Sequence, residues 1–190
     1  MTSAALRKPI ATPAAAIEIV SFWKRAGIEL WFANDPEFDR RFTATFLALH
    51  EEAARGDHDH WTETPEGSLA LIILLDQFPR NAFRGTPRMY ATDAHARRIA
   101  AWTVAWGQDL LIEPDLRLFV YLPFGHSEAL SDQDRAIELV AHLGPSMAER
   151  AEKYRSIIRK FGRFPHRNAI LGRETLTAEE EFLRNGGFSG

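Results

Sequence analysis

The sequence contains no cysteine among its 190 residues. Disulfides, thiolate nucleophiles, zinc–thiolate sites and cysteine-ligated iron–sulfur clusters are therefore excluded. The first ten residues lack an apolar core of signal-peptide length, and the longest apolar run, residues 69–75, is far too short to cross a bilayer. We therefore expect a cytoplasmic protein that makes no use of a membrane.

The chain also has little net charge, with 23 basic and 26 acidic residues giving a formal value of −3. No global basic field exists that would attract nucleic acid or an anionic membrane, so any anion site must be local. The hydrophobic share of 45% argues against disorder along the whole chain. We expect a single domain over residues 1–190, with residues 1–11 as a candidate disordered segment.

The common signatures of metal and cofactor sites are missing as well. There is no H-E-x-x-H motif, no phosphate-loop lysine motif, no G-x-G-x-x-G and no G-x-S-x-G. The run Asp57-His58-Asp59-His60 follows Gly56 and reads as a solvated turn. We expect no cofactor and no metal.

Start and stop signals for helices alternate along the chain. Capping side chains precede prolines at Thr12-Pro13, Asp35-Pro36, Thr64-Pro65 and Thr86-Pro87, and glycines follow the apolar-periodic segments. A capping box, Thr177 with Glu180, starts the final helix. The predicted fold is all-α, with seven to eight antiparallel-packed helices at about 13–26, 36–54, 65–77, 88–106, 114–121, 127–143, 146–161 and 178–185. The five tryptophans are expected to pack in the core or between helices.

A short phrase occurs twice, as Phe78-Pro79-Arg80-Asn81-Ala82-Phe83-Arg84-Gly85 and as Phe164-Pro165-His166-Arg167-Asn168-Ala169-Ile170-Leu171-Gly172. Proline cannot continue a helix without loss of a hydrogen bond, so we expect both copies to lie at helix breaks. Two interpretations stay open. The arginines are either helix-end clamps paired with acids such as Asp76, Glu128 or Asp132, or they receive a carboxylate or phosphate ligand in a common pocket.

Between the copies, His126 and Glu128 flank the expected start of a helix. They could act as a base and its orienter, or as general acid and base toward a substrate. Alternatively, Glu128 caps the helix or pairs with an arginine. The predicted ligand-binding residues are Arg80, Asn81, Arg84, His126, Glu128, Arg163, His166, Arg167 and Asn168.

Three motifs in a fixed order give the chain a family resemblance. They are residues 75–81 (LDQFPRN) with 83–85 (FRG), residues 121–124 (YLPF) with 126–128 (HSE) and 132–133 (DQ), and residues 161–168 (FGRFPHRN) with 171–173 (LGR). Over about residues 17–188 the sequence resembles the family called domain of unknown function 924. The resemblance implies a bacterial, single-domain, all-helical protein with a tetratricopeptide-repeat-like fold. It implies no activity and no catalytic residue.

Two functions of different class agree with these observations. The first is a small-molecule binding protein or enzyme with an Arg/Asn/His/Glu pocket for an anionic ligand. The alternative is a tetratricopeptide-like helical module that binds a peptide or protein in an aromatic-lined groove. The distance between the two phrases separates them, because Arg80 and Arg167 must share a cavity if the first is correct.

Overall fold

The computed structural model describes residues 10–189. The segment predicted as a disorder candidate, residues 1–11, therefore lies mostly outside the described residues, and its last two residues have no regular secondary structure. All regular structure in the described range is helical, which confirms the predicted all-α single domain. The tetratricopeptide-like grouping stays a prediction. The α-helices are α1 (Ala14–Trp31), α2 (Pro36–Arg55), α3 (Pro65–Ile72), α4 (Phe78–Ala82), α5 (Asp93–Ala105), α6 (Pro114–Gly125), α7 (Leu130–Val140), α8 (Pro145–Phe161) and α9 (Thr177–Arg184).

Side-chain caps fix the starts of α2 and α3 as the sequence predicts. Asp35 Oδ1 accepts hydrogen bonds from the amides of Glu37 and Phe38, at 2.9 and 2.8 Å. The Thr64 hydroxyl accepts from the Gly67 amide at 3.2 Å. In both helices a proline follows the cap, where its missing N–H removes no hydrogen bond.

Several predicted boundaries were wrong. Thr86-Pro87 starts only a 3-10 turn, Pro87–Tyr90, and α5 begins at Asp93. The first helix continues past residue 26 to Trp31 through a kink at Gly27, whose φ of 70° a glycine tolerates. At α9 the predicted box of Thr177 and Glu180 does not form. Thr177 is already helical, and Glu179 accepts from the Leu176 amide at 2.8 Å, whereas Leu176 has no side-chain acceptor to complete a box.

The apolar run at residues 69–75 forms the centre of the core. Its side chains are almost completely buried, and α3 packs against α1, α5 and α6. An aromatic cluster extends this core, with Trp23 against Phe119 at 5.2 Å between ring centroids. The packing prediction was wrong for Trp102 and Trp106, which are 61% and 72% exposed.

In the first Phe-Pro phrase the helix continues through Pro79 and ends only after Ala82, so the break lies within the phrase but not at the proline, where it was predicted. A π-helical turn, Ile73–Gln77, joins α3 to α4, and the Phe78 amide donates to the carbonyl of Ile73, five residues back. Side chains donate to the three carbonyls that follow: His50 to Leu74 at 2.8 Å, Thr92 to Leu75 at 2.5 Å and Arg80 to Asp76 at 2.6 Å. These donors compensate for the amide that Pro79 lacks, so the helix continues to Ala82.

The second phrase interrupts the helical structure as predicted. Helix α8 ends at Phe161, and the residue after it, Gly162, has the left-handed φ of 71°. Phe164 is extended, and Pro165–Arg167 forms a single 3-10 turn. The same phrase therefore serves as a helical segment in one place and as a loop in the other.

Candidate functional site

The two phrases converge on one cavity of about 270 Å³. The first copy contributes Arg80, Asn81 and Arg84, and the second contributes Phe164, His166 and Arg167, while His126 reaches the same cavity from the end of α6. We call this the arginine cavity. Its lining contains four arginines, since Arg150 of α8 joins the three from the phrases, and it contains no aspartate or glutamate.

Arg80 forms ion pairs with two aspartates that do not line the cavity. Its two terminal nitrogens donate to both carboxylate oxygens of Asp93, at 2.8 and 2.9 Å, and one of them lies 3.2 Å from the Asp76 carboxylate. Burial opposes the charged form, but Asp76 and Asp93 outweigh it and hold the pKa of Arg80 above its ordinary value. Arg80 therefore fits the clamp interpretation, with Asp76 paired as predicted and Asp93 in addition.

Arg167 is buried with much less compensation. It donates to the carbonyl of His126 at 2.9 Å, but the nearest carboxylate oxygen, on Asp93, is 3.7 Å away. Its guanidinium lies 4.6 Å from the ring centroids of Tyr90 and Phe164, and its Nε has no partner among the described residues. Burial and the neighbouring Arg80 lower the pKa of Arg167. The side chain is thus a desolvated cation that shares one carboxylate with a better-placed arginine.

The other two arginines of the lining, Arg84 and Arg150, bind neighbouring side chains. Arg84 donates to Asp39 at 2.6 Å, and Asn81 donates to the same carboxylate at 2.7 Å, which ties α4 to α2. Arg150 donates to the hydroxyl of Tyr154 at 3.0 Å and forms no ion pair within the described part of the chain.

His126 is oriented by Asp76, not by Glu128. Its Nδ1 lies 2.8 Å from an oxygen of Asp76, a carboxylate with no exposed surface, and Gln77 donates to the other oxygen at 2.6 Å. Burial would raise the pKa of Asp76, but Arg80 and His126 lower it to about 2. An ionised carboxylate can only accept, so Nδ1 carries the proton of the neutral ring. Burial and Arg80 lower the pKa of His126.

His166 stands beside this pair in the cavity lining. Burial and Arg167 lower its pKa to about 4, so the imidazole is neutral at pH 7. Its Nδ1 is buried and has no partner among residues 10–189.

Three predicted site residues lie outside the cavity lining. Glu128 accepts two hydrogen bonds from Arg173, at 2.7 and 3.0 Å, and one from the Phe164 amide at 2.8 Å. Arg163 and Asn168 both donate to Glu179 of α9. The arginine-pairing interpretation of Glu128 therefore holds, although its partner is Arg173, and these contacts attach the C-terminal segment to the fold.

The sequence did not indicate Tyr90 and Asp93, and each of these residues contacts both Arg80 and Arg167. The ring centroid of Tyr90 lies 5.7 Å from the Arg80 guanidinium and 4.6 Å from that of Arg167. No motif marks either residue, and the only available signal was the acidic side chain of Asp93 in the first turn of α5. In the described range, no group of three or more histidine, aspartate or glutamate side chains is placed to hold a metal.

Fold and site together define the class: a single-domain, all-helical protein whose repeated Phe-Pro phrase encloses an arginine-lined cavity. The chain belongs to the family DUF924, described as bacterial proteins of unknown function, whose model matches residues 19–187. The family predicted from the three motifs is thus confirmed.

A solved structure of a protein of unknown function from Agrobacterium tumefaciens is similar throughout. The two sequences are 49% identical, the match covers 93% of this chain and 100% of that one, and the TM-score is 0.90. No curated protein matches the chain. Within the described residues, none of the helices has the length and apolar character that spanning a membrane requires.

Proposed function

We propose that the protein binds a small organic anion in the arginine cavity, in the cytoplasm. The observation that carries the proposal is a lining with four arginines and no carboxylate, in which Arg150 forms no ion pair with a described residue and the nearest carboxylate to Arg167 is 3.7 Å away. A carboxylate or phosphate group is the ligand that guanidinium groups bind best, because it accepts paired, charge-assisted hydrogen bonds.

Arg167 is the residue we expect to bind the anion directly. Arg80 and Arg84 already donate to carboxylates of the protein, at 2.8 and 2.6 Å, whereas the nearest one to Arg167 is at 3.7 Å. An anion at Arg167 would reduce the electrostatic cost of burying this cation beside Arg80.

The rest of the lining favours a ligand with a small apolar or aromatic body. Rings of Trp31, Phe32, Tyr90, Tyr154 and Phe188 surround the arginines. A volume of about 270 Å³ is at the small end of ligand pockets, which suits a molecule with one ring or a short chain. Convergence of both phrases on a cavity, not on an open groove, supports this function over the helical interaction module.

Thermal melting with matched pairs of ligands tests the proposal. Benzoate, phenyl phosphate, 2-oxobutyrate and inorganic phosphate are compared with the neutral benzamide. A ligand at about one hundred times its dissociation constant adds roughly 2.7 kcal/mol of stability. For a chain of this size that corresponds to a rise of about 5–10 °C in melting temperature.

Two variants locate the effect. Arg167→Gln should abolish the rise, whereas Arg155→Gln should keep it, because Arg155 pairs with Asp134 and Glu152 and does not line the cavity. The proposal is wrong if none of the anions raises the melting temperature, or if Arg167→Gln responds as the wild type does.

A further inference from the structure

The arginine cavity contains one side chain that is built like a general base. His126 is fixed at both ends, since its ring donates from Nδ1 to Asp76 at 2.8 Å and its backbone carbonyl accepts from Arg167 at 2.9 Å. Asp76 in turn accepts from Gln77 at 2.6 Å. A buried carboxylate that orients an imidazole through Nδ1 leaves the lone pair on Nε2.

That second nitrogen is the one available to a ligand. Nε2 has no hydrogen bond to any described residue, and the side chain is 15% exposed although its Nδ1 faces the fully buried Asp76. The exposed edge of the ring is therefore the edge that carries Nε2. Because burial and Arg80 lower the pKa of His126, the ring is neutral at pH 7, which is the form that accepts a proton.

His166 lines the same cavity but is less suited to this task. No carboxylate orients its ring, and burial beside Arg167 lowers its pKa to about 4, which makes it a weak base. The two histidines therefore give a matched pair: one with an orienting acid and one without.

The cavity supplies a base and fixed positive charge but no serine or threonine hydroxyl, lysine or carboxylate as a nucleophile. Its lining includes no serine, threonine, lysine, aspartate or glutamate. Covalent transfer to a serine, a threonine, a lysine or a carboxylate of the lining is therefore excluded. Removal of a proton next to a carbonyl group needs only a base and a cation near the oxygen on which charge develops.

His126 also borders a second cavity. That cavity, of about 370 Å³, is lined by residues that include His126, Tyr90, Arg167, Asp93, Ser127 and Glu128. His126, Tyr90 and Arg167 therefore belong to the lining of both cavities.

We propose that the arginine cavity catalyses proton transfer on a 2-oxo carboxylate, with His126 Nε2 as the base that removes the proton from the carbon next to the carbonyl. The C–H bond breaks and an N–H bond forms on Nε2. The electron pair moves into the carbonyl group to give an enolate, whose oxygen is stabilised by an arginine of the cavity. Return of a proton from Nε2 to carbon regenerates the 2-oxo acid, so no co-reactant is consumed.

This inference rests on the proposed anion site, and its test separates the two. Proton NMR in D₂O follows exchange of the C3 protons of 2-oxobutyrate for deuterium, with the rate in protein-free buffer subtracted. Wild-type protein should exceed the buffer rate by at least tenfold. Thermal melting with the same compound reports binding independently.

The decisive variant is His126→Asn, because its amide nitrogen takes approximately the place of Nδ1 and can still donate to Asp76, while Nε2 is removed. It should retain the melting rise with 2-oxobutyrate and lose the exchange to the buffer rate. Arg155→Gln, which changes a residue outside the cavity lining, should keep the wild-type exchange rate.

Each of the other possible results overturns a particular part of the proposal. A melting rise without exchange in the wild type overturns the proton-transfer proposal and leaves the anion site standing. Exchange that persists in His126→Asn overturns the assignment of the base. If the protein hydrolyses p-nitrophenyl phosphate but catalyses no exchange, the proton-transfer proposal is overturned in favour of activation of water. If none of the anions raises the melting temperature, the anion site itself is overturned.

Discussion

The two arginines of the repeated phrase should respond very differently to the same substitution. Glutamine keeps a polar side chain with two N–H donors where arginine has five, and it removes the charge. We therefore compare Arg80→Gln with Arg167→Gln. They occupy equivalent places in the phrase and share Asp93 as a partner, yet Arg80 holds it at 2.8 Å and Arg167 only at 3.7 Å.

The contacts set the expected magnitudes. Arg80→Gln removes both hydrogen bonds to Asp93 and the cation 3.2 Å from Asp76, a carboxylate with no exposed surface. Removal of one partner from such a buried pair costs about 3 kcal/mol or more. Arg167→Gln removes one hydrogen bond to a carbonyl and the contacts with the rings of Tyr90 and Phe164, but it also relieves the repulsion between the two arginines, which offsets part of that loss. We expect a loss of about 1 kcal/mol or less.

Urea denaturation at pH 7.5 without added anion measures both values, with Arg155→Gln as the surface control. Melting temperatures should fall by about 10 °C for Arg80→Gln and about 3 °C for Arg167→Gln. Equal losses, or a larger loss for Arg167→Gln, would refute the reasoning, because both arginines would then be clamps of similar strength.

Two further predictions concern the fold and its pH dependence. Gly67→Ala should destabilise the protein by about 3 kcal/mol in urea denaturation, because the new Cβ would lie 2.2 Å from the Trp61 carbonyl oxygen, whereas Gly125→Ala has ordinary contacts and should change little. The pKa of His166 falls from 6.5 to about 4 on folding, so the unfolded chain takes up a proton more readily than the folded protein. The free energy of unfolding is therefore unaffected by this group above pH 6.5 and decreases as the pH falls toward 4. The free energy of unfolding should therefore fall less in His166→Asn than in the wild type between pH 7.5 and 4.5, by about 2 kcal/mol after allowance for partial exposure. An equal fall in both proteins would contradict this.

Local chemistry made most of the helical pattern predictable. Asp35 and Thr64 cap the helices that they were expected to cap, and Gly162 ends α8 in the left-handed conformation. These signals act within four residues, so they can be read from one stretch of sequence. The error at Pro87 arises because the Thr86 hydroxyl donates to the carbonyl of Phe83 and forms no cap, so that only a 3-10 turn follows.

The helical conformation of the first phrase could not be read in this way. Pro79 continues the helix because His50 and Thr92, from α2 and the segment before α5, donate to carbonyls of the π-helical turn. Both donors are distant in sequence, and nothing near the proline indicates them. The partner of His126 was missed for the same reason, because Asp76 lies 50 residues earlier whereas Glu128 is only two residues away.

The unequal treatment of Arg80 and Arg167 is itself an argument that the cavity binds a ligand. Arg80 is paired with Asp76 at 3.2 Å and with both oxygens of Asp93, which leaves Arg167 with Asp93 only at 3.7 Å. A phrase that served only to clamp helices would be more stable with an apolar side chain of similar size at position 167, because a poorly paired buried cation is destabilising. Yet Arg167 lies at the wall of both cavities and beside the base-like His126. Residues that reduce stability in such a place are usually there for function, and the function that fits a buried cation is the binding of an anion.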